Sequence, residues 1–360
     1  MHELPLDERV AERARAVCRA WFGRHVLALE PLAAGFSGSL PLVVRAGSSA
    51  WVLKSFPPAA GATRAAWVHA LMRHVRGVGV AEVPALLAAR DGSTFCHCGD
   101  AIWELASFVP GSSTAAPTTA QAVAAARTLA RIHRAAATLP GEPPRQAPSP
   151  ALAERISRVA VLLGDPWAGR PAGLATGANA SLLVAVAARF GAAREIFRAE
   201  DGLRLLRGWA SVEPLPMPLQ PVMRDVWCDH VLFTPGDPAR VAGVIDFHAA
   251  GVDTPVADVA RLLGSWRSPV DRRSLPLDAR WAEALAAYED VKPLTDQERR
   301  LVPELHAMGV VFGLDNWFRW TLGERREFPD ESRVLGRIDW LLGELPAALA
   351  FLGGRRVGRV

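Results

Sequence analysis

Two aspartates on either side of an apolar hairpin have the types and spacing that chemistry requires. Asp225 is followed five residues later by His230, and Asp246 closes a second apolar run after the Pro-Gly-Asp-Pro turn at 235–238. Because the two ends of a hairpin meet, we expect these three side chains to lie together. Phosphoryl transfer needs one carboxylate to orient the acceptor hydroxyl and another to hold Mg²⁺ against the phosphates. The segment is therefore suited to phosphoryl transfer.

The stretch 222–263 resembles the catalytic and metal-binding region of the aminoglycoside phosphotransferase and choline kinase family, relatives of the protein kinases. That family reads His-Gly-Asp-x-x-x-x-Asn, then an apolar run, then Ile-Asp-Phe or Ile-Asp-Trp. By the match, Asp225 stands at the catalytic Asp and Asp246 at the metal-binding Asp. Asp258 resembles the acid of the family's downstream Asp-Leu-Ala helix, which braces the catalytic loop. The resemblance implies ATP and Mg²⁺ or Mn²⁺ as cofactors.

Two departures from this pattern concern the same loop. Met223 replaces the family's His, and Arg224-Asp225 instead resembles the Arg-Asp pair of protein kinases, so Arg224 joins Asp225 in the predicted catalytic set. His230 stands where the family has a metal-binding Asn, and imidazole suits Mn²⁺ or zinc better than hard Mg²⁺. His230 could also bond Asp225 or a phosphate, with Asp229 helping to bind the metal. An active enzyme and an impaired pseudokinase that only binds nucleotide both remain open.

The amino-terminal part carries candidates for binding the phosphates. Lys54, in the apolar run 51–56, matches the family's strand lysine, and Gly35, Ser37, Gly38 and Ser39 resemble the loop that covers the phosphates with backbone N–H groups. The family places a Glu on the following helix to pair with the lysine. No acid occurs in 60–80, so Lys54 must find another partner, such as Asp246.

The stretch 103–108 resembles the hinge between two lobes. The resemblance implies that its backbone bonds the adenine, so Glu104 is predicted to bind the cofactor through its main chain more than through its charge. An ordinary buried strand is the alternative. His133, in a helix, is more simply interpreted as structural.

The elements around these residues change character along the chain. Strand patterns at 27–32, 40–45, 50–56, 85–89, 94–98 and 101–109 are interrupted by one helix at 62–75, and a helix at 5–23 precedes them. We expect 85–89 and 94–98 to form a hairpin. Helical patterns follow at 120–137, 151–163, 177–198 and 199–210, and Pro-rich 140–150 reads as a loop. This predicts an α+β bilobal fold with an N-lobe at 1–107 and a helical C-lobe at 108–360.

Composition limits the other possibilities. The net charge of +4 over 360 residues and the absence of a Lys/Arg run argue against a nucleic-acid partner. The longest apolar stretch, 180–188, is too short to span a membrane, and no secretory pattern occurs, so a reducing cytoplasm is expected. Cys96-His97-Cys98 lacks a second pair of zinc ligands nearby and is interpreted as a strand.

The acceptor is predicted to be a small molecule. Trp317 and Trp320 share a helix face and, with Asp315, Asn316 and Arg319, could line its pocket, although core packing explains such tryptophans more often. Acids mixed with bases near 324–327 favour a neutral sugar, amino alcohol or amino acid derivative over a polycationic aminoglycoside. The overall prediction is an ATP-dependent phosphotransferase acting on a hydroxyl.

Overall fold

The computed structural model describes residues 8–23, 28–32, 41–56, 60–164, 180–210, 216–267 and 279–354. Its amino-terminal lobe contains an antiparallel sheet in the order β1-β2-β3-β5-β4. The strands are β1 (Ala28–Pro31), β2 (Leu42–Ala46), β3 (Ser49–Ser55), β4 (Phe95–Cys98) and β5 (Ala101–Ser107). The predicted phosphate loop, with Gly35, Ser37, Gly38 and Ser39, lies outside the described residues.

Tight turns connect neighbouring strands of the sheet, and a helix packs against it. β2 and β3 join through Gly47-Ser48, where Gly47 has a φ of 61°, as a two-residue hairpin turn requires. Helix α1 (Glu8–Phe22) buries Cys18 and Trp21 against this sheet. Trp21 Nε1 donates to the Leu87 carbonyl at 2.9 Å. An apolar helix face and one satisfied indole thus anchor α1.

Helix α2 (Ala62–Gly77) connects the sheet to the rest of the molecule. Its buried apolar residues belong to a core that also contains residues of several later helices, so the two lobes share apolar packing. The later helices are α3 (Thr119–Ala136), α4 (Pro150–Gly164), α5 (Ala180–Ala199), α6 (Gly202–Ala210), α7 (Pro255–Gly264), α8 (Ala279–Glu289), α9 (Asp296–Phe318) and α10 (Glu331–Gly354). Capping boxes begin α3 at Thr118 and α9 at Thr295. None of the described helices is both long and apolar enough to cross a bilayer.

Short strands position the segment that carries the predicted chemistry. β6 (Arg145–Pro148), β7 (Pro216–Val222) and β10 (Gly251–Asp253) form one sheet, with β7 in the centre. β8 (Val231–Thr234) and β9 (Asp237–Val244) form a hairpin, as the sequence predicted. The segments before β8 and after β9 therefore run side by side.

The structure corrects two expected elements. The predicted hairpin of 85–89 with 94–98 is wrong: β4 pairs with β5, and 85–89 contributes only a bridge from Leu86 to Ala106. The predicted loop at 140–150 contains β6, which pairs with a strand about 70 residues later. A four-residue strand in a Pro-rich stretch carries no local signal, because its partner is what makes it a strand. The α+β class and the two-lobed architecture are confirmed.

Candidate active site

The loop that carries Asp225 is anchored to the protein core by a buried carboxylate. Asp258, on α7, is inaccessible to solvent and accepts a hydrogen bond from the Met223 backbone N–H at 2.7 Å. His133 Nε2 lies 3.0 Å from the same carboxylate oxygen, and its Nδ1 lies 2.7 Å from the Tyr288 hydroxyl. Burial, then Asp258, raises the pKa of Tyr288, so the phenol keeps its proton and donates to Nδ1. His133 then donates through Nε2–H, which agrees with its structural interpretation.

Asp225 itself faces a cavity. Its Oδ1 accepts hydrogen bonds from Trp227 Nε1 at 2.6 Å and from Arg261 Nη2 at 2.5 Å. Arg261 also lies over the Trp227 ring, 4.6 Å from its centroid. A carboxylate held by two donors has a defined orientation, and its side chain remains 41% exposed for a ligand to reach.

Arg224 and Asp246 adopt backbone conformations that are rare for their residue types. Their φ angles are 63° and 66°, in the left-handed region that non-glycine residues seldom occupy. Arg224 Nε lies 3.6 Å from buried Asp253 Oδ2, so its side chain turns toward β10. Such conformations cluster at functional sites, where surrounding contacts over-determine them.

His230 links the two ends of the hairpin. Its Nδ1 lies 2.8 Å from the Asp225 main-chain carbonyl, which can only accept, so Nδ1 carries the proton. In the neutral ring the Nε2 lone pair is then free, and it lies 3.7 Å from Asp246 Oδ2. The three residues that the sequence grouped together are thus adjacent, although His230 reaches the backbone of Asp225 and not its side chain.

Lys54 and Asp246 form an ion pair between the lobes. Lys54 Nζ donates to Asp246 Oδ1 at 2.6 Å, which is the partner that the sequence suggested in the absence of a helix Glu. Burial acts to raise the pKa of Asp246, but Lys54 and His230 together outweigh it and the net pKa is lowered. Asp246 is therefore ionised at neutral pH.

The pair of His230 Nε2 and Asp246 Oδ2 suits a divalent cation that completes its shell elsewhere. Both atoms present lone pairs, and they are separated by a distance that one ion could bridge. The described residues contain no cluster of three or more His, Cys, Asp or Glu that could hold a metal. A cation here would need other oxygen ligands, as Mg²⁺ does when it binds through one or two carboxylates and phosphates.

Glu104 lies within β5, in the interior of the sheet. It sits opposite Lys54 of β3 on one side and Phe95 of β4 on the other. Its side chain is buried and contacts His69 Nε2 at 2.6 Å and His248 Nε2 at 2.9 Å. These contacts agree with the ordinary buried strand that the sequence offered as the alternative to a hinge.

The buried Glu104 instead ties α2 and the segment after Asp246 to the sheet. His69 comes from α2, and His248, two residues after Asp246, stacks on Phe56 at 4.1 Å between centroids. Sequence reasoning missed both histidines. The sequence showed that α2 contains no acid, but it did not show which residue of α2 faces β5. That depends on packing between elements that are distant in sequence.

Replacing Glu104 with Gln should change how stability depends on pH. Burial acts to raise the pKa of Glu104, but hydrogen bonds from His248 and His69 outweigh it and lower the pKa to about 2. A lowered pKa stabilises the fold fully above the unfolded value, about 4.3, and that contribution is lost as pH falls toward the folded value. The urea midpoints of wild type and variant should therefore differ most above about pH 5.

The same comparison at pH 3 should show a smaller difference. Glu30→Gln is a matched control, because Glu30 also has a lowered pKa but pairs with Arg45 on the exposed surface. A Glu104→Gln effect that stays constant from pH 7 to pH 3 would contradict this account.

A cavity of about 400 Å³ opens beside Asp225. Its aromatic lining comes from Trp227, Trp340 and Phe312, and Asn316 lines it as well. Trp317, which the sequence offered as a lining candidate, is instead buried in the core of the helical lobe, 5.2 Å from the Trp320 centroid. Core packing was the correct interpretation of that tryptophan.

Several relatives in sequence are named homoserine kinases. A homoserine kinase from Ralstonia nicotianae is 30% identical over 234 residues, which are 64% of this chain and 61% of the relative. A homoserine kinase from Burkholderia multivorans is 29% identical over 239 residues, 64% of this chain and 62% of the relative. The matched region is less than two thirds of the length of these relatives.

Solved structures show the same fold over nearly the whole chain. Spectinomycin phosphotransferase, solved with ADP and spectinomycin, has a TM-score of 0.62 at 11% identity and covers 94% of this chain and 98% of its own. A microcompartment-associated aminopropanol kinase has a TM-score of 0.60 at 16% identity, covering 98% and 100%. An aminoglycoside phosphotransferase from Alicyclobacillus acidocaldarius has a TM-score of 0.56 at 16% identity, covering 98% and 97%.

The family itself is shown by a match along most of the chain. The model of the phosphotransferase enzyme family matches residues 28–301, which include Lys54, Asp225, His230 and Asp246. This range holds the whole described sheet and the hairpin between the two predicted acids. The chain belongs to the phosphotransferase enzyme family.

Proposed function

We propose that this chain is an ATP-dependent phosphotransferase that moves a γ-phosphoryl group to a hydroxyl of a small molecule. What supports this most directly is the arrangement of two carboxylates. Asp225 faces a cavity large enough for a small acceptor, while Asp246 pairs with Lys54 between the lobes. His230 contacts the backbone of the first and approaches the side chain of the second. One carboxylate thus faces an acceptor and the other a charged cleft, as phosphoryl transfer requires.

On the acceptor side, Asp225 would accept the hydrogen bond of the reacting hydroxyl and take its proton. The Trp227 and Arg261 donors occupy Oδ1, which leaves Oδ2 for that hydroxyl. Orientation of this kind, together with charge neutralisation, supplies most of the rate in phosphoryl transfer, because little covalent chemistry falls to the protein. Arg224, on the cavity wall, would help to place the transferred group.

On the nucleotide side, Lys54 would bind phosphate oxygens, with the backbone of the loop at Gly35, Ser37, Gly38 and Ser39 covering them. A divalent ion held by His230 Nε2 and Asp246 Oδ2 would neutralise phosphate charge. Because Glu104 is enclosed in the sheet, the main chain that meets adenine is assigned to the residues directly after β5.

Thermal unfolding with nucleotide and metal tests the nucleotide site. ATP with Mg²⁺ or Mn²⁺ should raise the stability by about 2.7 kcal/mol at a hundred times the Kd, and ATP with chelator should raise it less. Asp246→Asn, which keeps the side-chain shape, should remove the metal-dependent part. A wild type that responds to no nucleotide would overturn the assignment.

A nucleotide-binding module without transfer is the second candidate, and His230 in place of the family's Asn is what favours it. ATP consumption in the presence of hydroxyl acceptors separates the two. The named activities of the relatives make L-homoserine and aminopropanol the first acceptors to supply. Nucleotide binding with no consumption of ATP would favour the second candidate.

A further inference from the structure

The cavity beside Asp225 is lined by more positive than negative charge. It lies between the Asp225 loop and helices α4, α7, α9 and α10. The charged lining residues are four arginines and two acids, namely Arg155, Arg158, Arg224, Arg261, Glu154 and Asp225. A neutral sugar needs no such excess of cations, so the charge of the cavity bears on the chemistry of the acceptor.

Hydrogen-bond donors without partners are concentrated in this cavity. Among the described residues, five buried side-chain nitrogens have no hydrogen-bond partner: Trp103 Nε1, Arg155 Nε, Arg261 Nε, His306 Nε2 and Trp340 Nε1. All but the first belong to residues that line the cavity. Three of these nitrogens, Arg155 Nε, Arg261 Nε and Trp340 Nε1, are N–H donors. A buried donor without an acceptor is costly, so their concentration around one cavity favours a ligand that accepts hydrogen bonds there.

Arg155 differs from the other arginines of the cavity. Arg158 pairs with Asp315, Arg261 with Asp225, and Arg224 approaches Asp253. Arg155 donates Nη1 to a carbonyl of its own helix at 2.9 Å, and no described carboxylate forms an ion pair with it. Burial, then Arg261, lowers the pKa of Arg155 to about 10, although Glu154 and Asp253 act to raise it, and the guanidinium stays charged at neutral pH.

Arg155 is half-buried, and Glu154 and Asp253 act on its charge without forming an ion pair with it. A cation in this position is poorly compensated, and hydrogen bonds alone do not balance its charge. A hydroxyl of a sugar could accept from Arg155 Nε, but it would leave the charge unbalanced. A carboxylate supplies both the accepting oxygens and the negative charge, in the planar geometry that matches a guanidinium. It carries a single charge, which limits repulsion with Asp225 and Glu154 on the same cavity wall.

We propose that the acceptor carries a carboxylate as well as its reacting hydroxyl, and that Arg155 is the residue that recognises this carboxylate. This inference rests on the proposed function, because it takes the cavity beside Asp225 as the acceptor site. Glu154 on the same wall provides a place for an ammonium group. The substrate class is therefore a hydroxy acid, including hydroxy amino acids.

Four small acceptors that differ in their charged groups test the inference. L-Homoserine carries carboxylate and ammonium, 4-hydroxybutanoate lacks the ammonium, 3-aminopropan-1-ol lacks the carboxylate, and glycerol 3-phosphate carries a phosphate. With ATP and Mg²⁺, kcat/KM for the first two should exceed that for 3-aminopropan-1-ol by about 10-fold or more. Equal values, or a preference for glycerol 3-phosphate, would overturn the choice of a carboxylate.

Variants of Arg155 assign the site to this residue. Arg155→Gln should raise KM for the two carboxylates by about 10- to 100-fold and leave KM for 3-aminopropan-1-ol unchanged. Arg155→Lys should recover part of the loss, because it keeps the charge but not the planar fork. Arg198→Gln, which removes an exposed arginine paired with Glu195, is the matched control and should change nothing. An unchanged KM in Arg155→Gln would overturn the assignment.

Binding without turnover keeps this test separate from that of the proposed function. The two carboxylates at millimolar concentration should raise the unfolding temperature of the wild type but not that of Arg155→Gln. If ATP is never consumed while this shift is seen, the phosphotransferase proposal fails and the carboxylate site stands. If ATP is consumed with 3-aminopropan-1-ol while neither carboxylate shifts the wild type, the carboxylate site fails.

Discussion

Asp225→Asn is expected to lower kcat for phosphoryl transfer by about 100- to 10,000-fold, the range that a positioned general base contributes. The amide keeps the size of the side chain but cannot take a proton, and it gives up the charge that pairs with Arg261. The stabilisation by ATP and metal should be preserved, because Asp225 faces the cavity and not the Lys54–Asp246 pair. Single-turnover assays beside thermal unfolding with ATP measure both quantities.

Asp339→Asn provides the control for this substitution. Asp339 is similarly exposed, pairs with Arg189 on the surface, and does not line the cavity that Asp225 faces. Its turnover should stay within a few-fold of wild type. Equal turnover in Asp225→Asn and wild type would remove Asp225 from the catalytic role, whatever the nucleotide affinity.

Asp258→Ala is expected to destabilise the fold by about 1–3 kcal/mol for each of the two buried donors that lose their acceptor. The substitution leaves the Met223 N–H and His133 Nε2–H without their acceptor in a part of the core that water does not reach. Urea denaturation at neutral pH measures the loss. Turnover should fall as well, since the Asp225 loop is no longer anchored at Met223.

Asp339→Ala is the matched comparison for that loss. Like Asp258, Asp339 is a paired carboxylate, but its partner is Arg189 and it lies half exposed on the surface. An ion pair in that position contributes about 0–1 kcal/mol. If Asp258→Ala cost no more than Asp339→Ala, the buried carboxylate would not be the anchor of the loop. A double variant with His133→Ala should lose less than the sum of the two single losses, because both remove the same contact.

The parts of this molecule that sequence reasoning predicted are those encoded locally. Helical periodicity indicated α2 over 62–75 and α3 over 120–137, and both are confirmed within two residues at each end. The hairpin between Asp225 and Asp246 was also predicted, because a turn and two apolar runs lie within about 20 residues. Family membership and the kinase-like fold followed from the same short motif and are confirmed.

What sequence reasoning missed depends on contacts between distant segments. Glu104 meets His69 and His248, which lie 35 and 144 residues away, and no pattern within one element indicates such a meeting. The cavity beside Asp225 is assembled largely from α4, α7, α9 and α10, so one of its two lining tryptophans, Trp340, could not be told from a core residue. Whether a helical side chain is exposed depends on which other elements pack against the helix, and the sequence of the helix does not reveal those elements.

The ion pair between Lys54 and Asp246 has a consequence for how nucleotide and metal enter together. In the free protein each charge already neutralises the other across the cleft, at 2.6 Å. A phosphate bound to Lys54 would leave Asp246 without a counter-ion, and a cation bound to Asp246 would leave Lys54 without one. Either ligand alone would therefore break the existing ion pair and leave one charge uncompensated. When both ligands bind, the Lys54–Asp246 pair would be replaced by two pairs, Lys54 with phosphate and Asp246 with the cation. Under the proposed function the two ligands would therefore be thermodynamically linked, and each would raise the affinity for the other by the same factor.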